Sequence, residues 1–197
     1  MIRAVVTFTL LGAAWASVTH FTWSDCDSDP NRAIKISSVE VSPMPIVMPG
    51  PVTFSFNASL SKVMQGGTVE LDLKRHVLIL GNIHVPCLLG VGSCTYNYCT
   101  QLDSMLRSSD DATRKVGTQL KTILSDNHIN ADCPIPPQTA SVSRATLQIP
   151  DPGSLASVIA AGDYTIKATI KDRNNNIQGC VSFKVELKRR SHGFLFG

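Results

Sequence analysis

From Ile34 onward the chain alternates apolar and polar residues with a period of two, the pattern of strands that bury one face. Ile34-Lys35-Ile36 leads to Val39-Glu40-Val41, while Val52-Thr53-Phe54-Ser55-Phe56-Asn57 and Val69-Glu70-Leu71-Asp72-Leu73-Lys74 alternate without a lapse. Tyr164 to Lys171 and Val181 to Leu187 repeat the pattern on either side of Arg173-Asn174-Asn175-Asn176, which reads as a hairpin. A weaker alternation from Ala140 to Ile149 ends in the loop sequence Pro150-Asp151-Pro152-Gly153. Only the middle has a helical period: Thr100 to Leu106 predicts one or two turns, and Val116, Leu120, Ile123 and Leu124 recur at helical spacing. About seven strands with polar outer faces predict two antiparallel sheets packed as a sandwich, with the helical insert covering one end. Such inward positions, Val52 and Val185 among them, normally fill a packed core, although composition by itself does not separate a core from a cavity.

The N-terminus breaks the pattern. MIRAVVTFTLLGAAWA has a cation at Arg3, an apolar run and Ala14-Trp15-Ala16, the three parts of a secretory signal peptide over residues 1–16. The run is too short to cross about 30 Å of hydrocarbon. One domain, residues 17–188, is expected to follow, with a basic and aromatic tail at 189–197. Loss of Arg3 lowers the formal charge from +3 by one unit. With no concentrated basic stripe, nothing points to nucleic acid. Everything downstream of the leader is then read as a secreted or lumenal protein.

That compartment changes the reading of HVPCLLGVGSCTYNYC, residues 84–99, which packs a histidine and three cysteines together. Zinc knuckles space their cysteines by two to four residues and repeat the motif or add paired histidines. Here Cys87, Cys94 and Cys99 do not repeat such a knuckle, and His84 has no partner histidine nearby. All six cysteines lie after the leader, so disulfides are favoured over metal. Gly90 and Gly92 permit the reversal that a Cys87–Cys94 bridge needs. A bridge from Cys26 to Cys180 would close nearly the whole domain, but spacing alone leaves the full pairing open. Asn57-Ala58-Ser59 is a glycosylation sequon, with Asn57 on the polar face of its strand.

Catalytic signals are weak. The chain has no nucleophile elbow, phosphate-binding loop, dinucleotide fingerprint or zinc-protease motif. His76, His84 and His128 are scattered, and Glu70, Asp72, Asp110 and Asp111 read as solvated surface. No cofactor is implied. A secreted enzyme using carboxylates from distant loops is the reading that sequence exposes least.

Six segments carry a resemblance: Phe21 to Asp27; Ile83-His84-Val85-Pro86-Cys87; Gly92 to Leu106; Cys133-Pro134; Gly162-Asp163-Tyr164-Thr165-Ile166; and Gly179-Cys180. In this order and spacing the chain resembles the ML lipid-recognition family, in particular its GM2 ganglioside activator members. The resemblance implies an immunoglobulin-like, all-β sandwich opened into a lipid-binding β-cup. It implies a non-catalytic protein that extracts a glycosphingolipid from a membrane and presents it to a β-hexosaminidase. It also implies bridges Cys26–Cys180, Cys87–Cys94 and Cys99–Cys133. Phe54, Phe56, Leu71, Leu73, Tyr98, Leu102, Tyr164, Ile166 and Phe183 would then line the lipid pocket. The chain departs from those relatives in having no cysteine between Arg107 and Asp132 and no tryptophan at Asn82 or at Ser157-Val158-Ile159. Membrane contact would fall to Leu88, Leu89, Val158 and Ile159. An alternative is a lipid-recognition protein that works with a receptor or on other lipids.

Overall fold

The computed structural model describes residues 20–151 and 161–190. The proposed leader, the tail beyond Arg190 and the stretch holding Val158 and Ile159 lie outside the described residues. Two sheets face each other. The centre of the first is β5 (Gly67–Val77), β9 (Gly162–Asp172) and β10 (Ile177–Arg189). Each of its edges is made of two short strands. Along β10 run β1 (Thr22–Asp25) and then β3 (Ile46–Met48), the latter parallel to it; along β5 run β7 (Thr95–Asn97) and β6 (Gly81–His84). The second sheet is β2 (Ile34–Ser42), β4 (Gly50–Leu60) and β8 (Gln138–Ile149), all antiparallel.

The irregular alternation in β2 and β8 has a structural cause. Inward positions switch parity from Ile34 and Ile36 to Val39 and Val41, and from Ala140 and Val142 to Ala145, Leu147 and Ile149. At each switch the register shifts by a bulge, between Ile36 and Ser38 on β2 and opposite Phe54 to Phe56 on β8. A bulge adds one residue to one strand, so the side chains on either side of it return to the same face. On β8 the extra residue is Arg144, at φ 52°, whose N–H donates to Ser55 Oγ at 3.0 Å. The repaired register makes continuous inner rows: Ile36–Ala58–Ala140, Val39–Phe56–Val142 and Val41–Phe54–Ala145. The facing sheet contributes Leu71–Ala168–Val181, Leu73–Ile166–Phe183–Trp23 and Arg75–Tyr164–Val185.

These rows do not pack evenly. One end of the interior is closed by Ile46, Met48, Val52, Tyr164 and Val185, all buried, with Ile166, Phe183 and Leu187 against them. At the other end β10 passes close to β2: a side chain at Gly179 would put its Cβ 2.9 Å from that of Ile34. Between these ends Phe54, Phe56, Leu71 and Leu73 face inward yet stay only half-buried.

The helical insert forms α1 (Gln101–Leu106) and α2 (Asp111–Asp126). Asp110 caps α2 by accepting from the Thr113 N–H at 2.7 Å. Rather than covering an end, α2 lies beside β8, the edge of the smaller sheet. The Gln119 amide accepts from the Gln148 N–H at 2.7 Å and donates to the Gln148 carbonyl at 3.0 Å. That pairing covers backbone groups which an open strand edge would leave exposed. At the C-terminal end, Lys188 and Arg189 belong to β10, in register with Val47 and Met48, so the ordered strand runs past the expected boundary at 188.

Candidate functional site

Ala58 and Ala140 sit side by side on the inner face, where the next row carries Phe56 and Val142. Two methyls in place of two large side chains leave a gap between the sheets. The result is a cavity of about 250 Å³ lined by Ile34, Leu60, Val69, Ile170, Tyr98 and Ile135, among others. Its wall on the helical side is tied down. Cys99, next to Tyr98, is bonded to Cys133, and Ile135 exchanges two backbone hydrogen bonds of 2.9 Å with Met64. The other bridges are Cys26–Cys180 and Cys87–Cys94. Burial pushes the Tyr98 phenol pKa up, as an apolar wall would.

Strand β5 links this cavity to the opposite end of the domain. Its inward residues are Val69, which lines the cavity, then Leu71 and Leu73, and then Arg75, a span of about 20 Å at strand rise. Across the interior from the two leucines are Phe54 and Phe56, whose rings stack at 6.4 Å. Of the nine residues expected in a lipid pocket, Tyr98 lines the cavity. Phe54, Phe56, Leu71 and Leu73 form the half-buried inner walls that continue from it. Tyr164, 2% exposed, and Ile166 and Phe183 belong to the packed end. Leu102 is half-buried on α1 and is not among the cavity-lining residues.

Among the described residues, Val63, Ile83 and Ile177 are also exposed, but large exposed apolar side chains adjoin one another along the chain in two places. Leu88 and Leu89 lie in a tight turn closed by the Leu88–Val91 backbone pair, at 2.8 and 2.9 Å. Leu89 and Gly90 both have positive φ, 52° and 74°. A leucine there costs about 1–2 kcal/mol relative to glycine, and its side chain is 76% exposed, so local stability does not explain it. Sequence reasoning missed the second place. Leu78, Ile79 and Leu80 form the tip of the β5–β6 hairpin, with Ile79 90% exposed. The tip lies about 17 Å further along the sheet than the level at which the Leu88–Leu89 loop departs. Its signal was present in HVLILG: the alternation stops and four apolar residues run together ahead of a turn glycine.

Residues 20–187 match the model of the ML domain family. The chain belongs to the ML domain family. It is 29% identical over 170 residues to the ganglioside GM2 activator of Macaca fascicularis, covering 85% of this chain and 83% of that one. Against the ganglioside GM2 activator of Mus musculus the identity is 27% over 172 residues, covering 86% and 83%. Among solved structures, a Niemann-Pick type C2 protein from Japanese carpenter ant aligns at TM-score 0.40 and 14% identity, over 85% of this chain and 99% of that one. Chicken MD-1 complexed with lipid IVa also gives 0.40 and 14%, over 84% and 88%.

The ML domain of this chain, a member of a lipid-binding family, also brings a serine, a histidine and an aspartate together. His84 Nδ1 lies 3.2 Å from Asp72 Oδ1 and 3.5 Å from Ser93 Oγ. A nucleophilic relay places the serine and the acid on opposite ring nitrogens, whereas here both meet the same one. Ser93 Oγ accepts from the Leu73 N–H at 2.9 Å, standing in for a strand partner. Burial alone would raise the Asp72 pKa, but hydrogen bonds and charge from Lys74 and His84 outweigh it and hold it below 3.8. The cluster clips the β5–β6 hairpin together. On the outer face, Asn57 is exposed, donating to Ser38 Oγ at 2.8 Å and accepting from Ser141 Oγ at 2.5 Å. The side chain points away from the cavity.

Proposed function

We propose that this ML domain is a secreted or lysosomal lipid carrier that takes a glycosphingolipid out of a membrane and presents its headgroup to a β-hexosaminidase-like hydrolase. The observation that carries this reading is the apolar inner track from Val69 through Leu71 and Leu73, half-buried and continuous with the cavity. Each methylene moved from water into such a space contributes about 0.8 kcal/mol, so eight of them offset about 6 kcal/mol of extraction cost without a strong polar contact. Similarity to the ganglioside GM2 activators supports the choice of lipid and partner. Three disulfides with no free cysteine among the described residues support an oxidising compartment. In this reading Leu78 to Leu80, together with Leu88 and Leu89, touch the bilayer, and a glycan on Asn57 faces solvent on the outer sheet.

Native mass spectrometry of the purified protein and vesicle-to-vesicle transfer test the carrier role. Co-purifying lipid and transfer are the expected results, and absence of both would sink it. Stimulation of β-hexosaminidase on membrane-embedded ganglioside tests the partner separately. Transfer without stimulation would leave a lipid carrier that serves a receptor or another hydrolase.

A further inference from the structure

Arg75 is the one charged side chain in the inner rows that β5, β9 and β10 share. Its neighbour across β9 is the buried Tyr164, followed by Val185, so it faces the interior and not the solvent side of the sheet. An alternating strand that places Leu71 and Leu73 inward would be expected to continue with an apolar residue, because burying a cation is unfavourable unless it is paired. Pairing is incomplete here. Arg75 Nη2 donates to the Ala161 carbonyl at 2.8 Å, while Nε is buried without an acceptor. Arg75 takes part in none of the ion pairs that link described residues. Space for it is built in: a side chain on Gly162 would put its Cβ 3.0 Å from Nε, at φ +150°. The guanidinium lies over bare backbone, held in orientation and lacking a counter-charge among the described residues, between the apolar track and the exposed Leu78–Leu80 tip.

We propose that Arg75 anchors the negatively charged group of the bound lipid, a carboxylate or a phosphate, on the β5 side of the packed end, where the strand runs out to the Leu78–Leu80 tip, while the acyl chains lie along β5 towards the cavity. This rests on the lipid-carrier reading. A planar guanidinium matches either anion through paired N–H donors, and Nη2 keeps a second hydrogen beyond the one given to Ala161. The positioned charge selects among lipids whose chains fit equally well, since the apolar track cannot distinguish headgroups.

The test is transfer by the full, oxidised protein from phosphatidylcholine vesicles of matched surface charge, each carrying one probe lipid. The probes are a sialylated glycosphingolipid, phosphatidylglycerol and a neutral glycosphingolipid with the same acyl chains. The wild type is expected to favour a charged probe about tenfold over the neutral one, and comparison of the two charged probes tells carboxylate from phosphate. R75Q should lower transfer of the charged probe to about the level of the neutral one; R75K should keep part of the preference. Equal wild-type transfer of all three probes, or an equal fall for all three in R75Q, overturns the anchor and leaves the carrier intact. Transfer of none by the wild type overturns both. Circular dichroism and thermal melting of each variant separate a folding defect from altered selection.

Discussion

The two ends of the interior are built from the same alternating strands and reach opposite outcomes. At one end β3 lies beside the end of β10, and Met48, Val52, Tyr164 and Val185 fill the space between the sheets. At the other, Ala58 faces the interior beside Ala140, and the closing elements are a disulfide-held loop and Met64 rather than a strand. Alternation places a residue on the inner face; side-chain volume and the element laid across the end decide whether that face is filled. The first end has the character of a stability core, the second that of a binding site.

That contrast can be broken most forcefully at the packed end. Tyr164→Ala removes a buried aromatic ring and is expected to cost about 3–5 kcal/mol in denaturant unfolding. A loss under about 1 kcal/mol would mean that this end is not the core. Next in size, C99S/C133S opens the loop that walls the cavity. Loop entropy predicts a loss of about 3–4 kcal/mol, with hydrogen exchange rising around Ile129 to Ile135 before it rises at β10. Uniform acceleration would show that the two ends unfold as one unit.

Filling the cavity sharpens the comparison. Ala140→Leu should change stability by less than about 1 kcal/mol, because the added methylenes enter existing space, and should lower the amount of bound lipid seen by native mass spectrometry. Val185→Phe, an enlargement at the packed end, should cost about 1–3 kcal/mol. Equal penalties for the two would remove the distinction between the ends.

The smallest effect is expected at the hairpin clip. Because the folded-state pKa of Asp72 is depressed, its contribution is present above pH 3.8 and is lost as pH falls through the lower folded value. The side chain is 38% exposed, so solvent screening keeps the gain below about 1 kcal/mol. Asp72→Asn should be slightly less stable than wild type at pH 6, and the two melting curves should converge under more acid conditions. Divergence on acidification would contradict the sign.

Much of the fold was legible because alternation is local. The strands around Phe54, Leu71, Ile166 and Phe183, and both helices, follow from period alone. The bulges showed only as parity changes, from Ile36 to Val39 and from Val142 to Ala145, which look like weak strands until a partner register is known. The cavity was not legible, since Ala58 and Ala140 become neighbours only through that register. Leu78 to Leu80 were hidden for another reason: an apolar run reads as buried material, and only the position of the hairpin tip, beyond the facing sheet, shows it to be exposed.

By itself the sequence determined which residues point inward on the regularly alternating strands, that disulfides rather than metal hold the cysteine-rich segment, and, through its resemblance, the lipid-recognition class. Those are matters of period, spacing and motif, carried by neighbours along the chain. The tertiary structure decided where the interior is full and where it is empty, and that Arg75 faces the same space as Tyr164. Volume and charge compensation are sums over residues brought together from distant strands, and no local pattern contains such a sum.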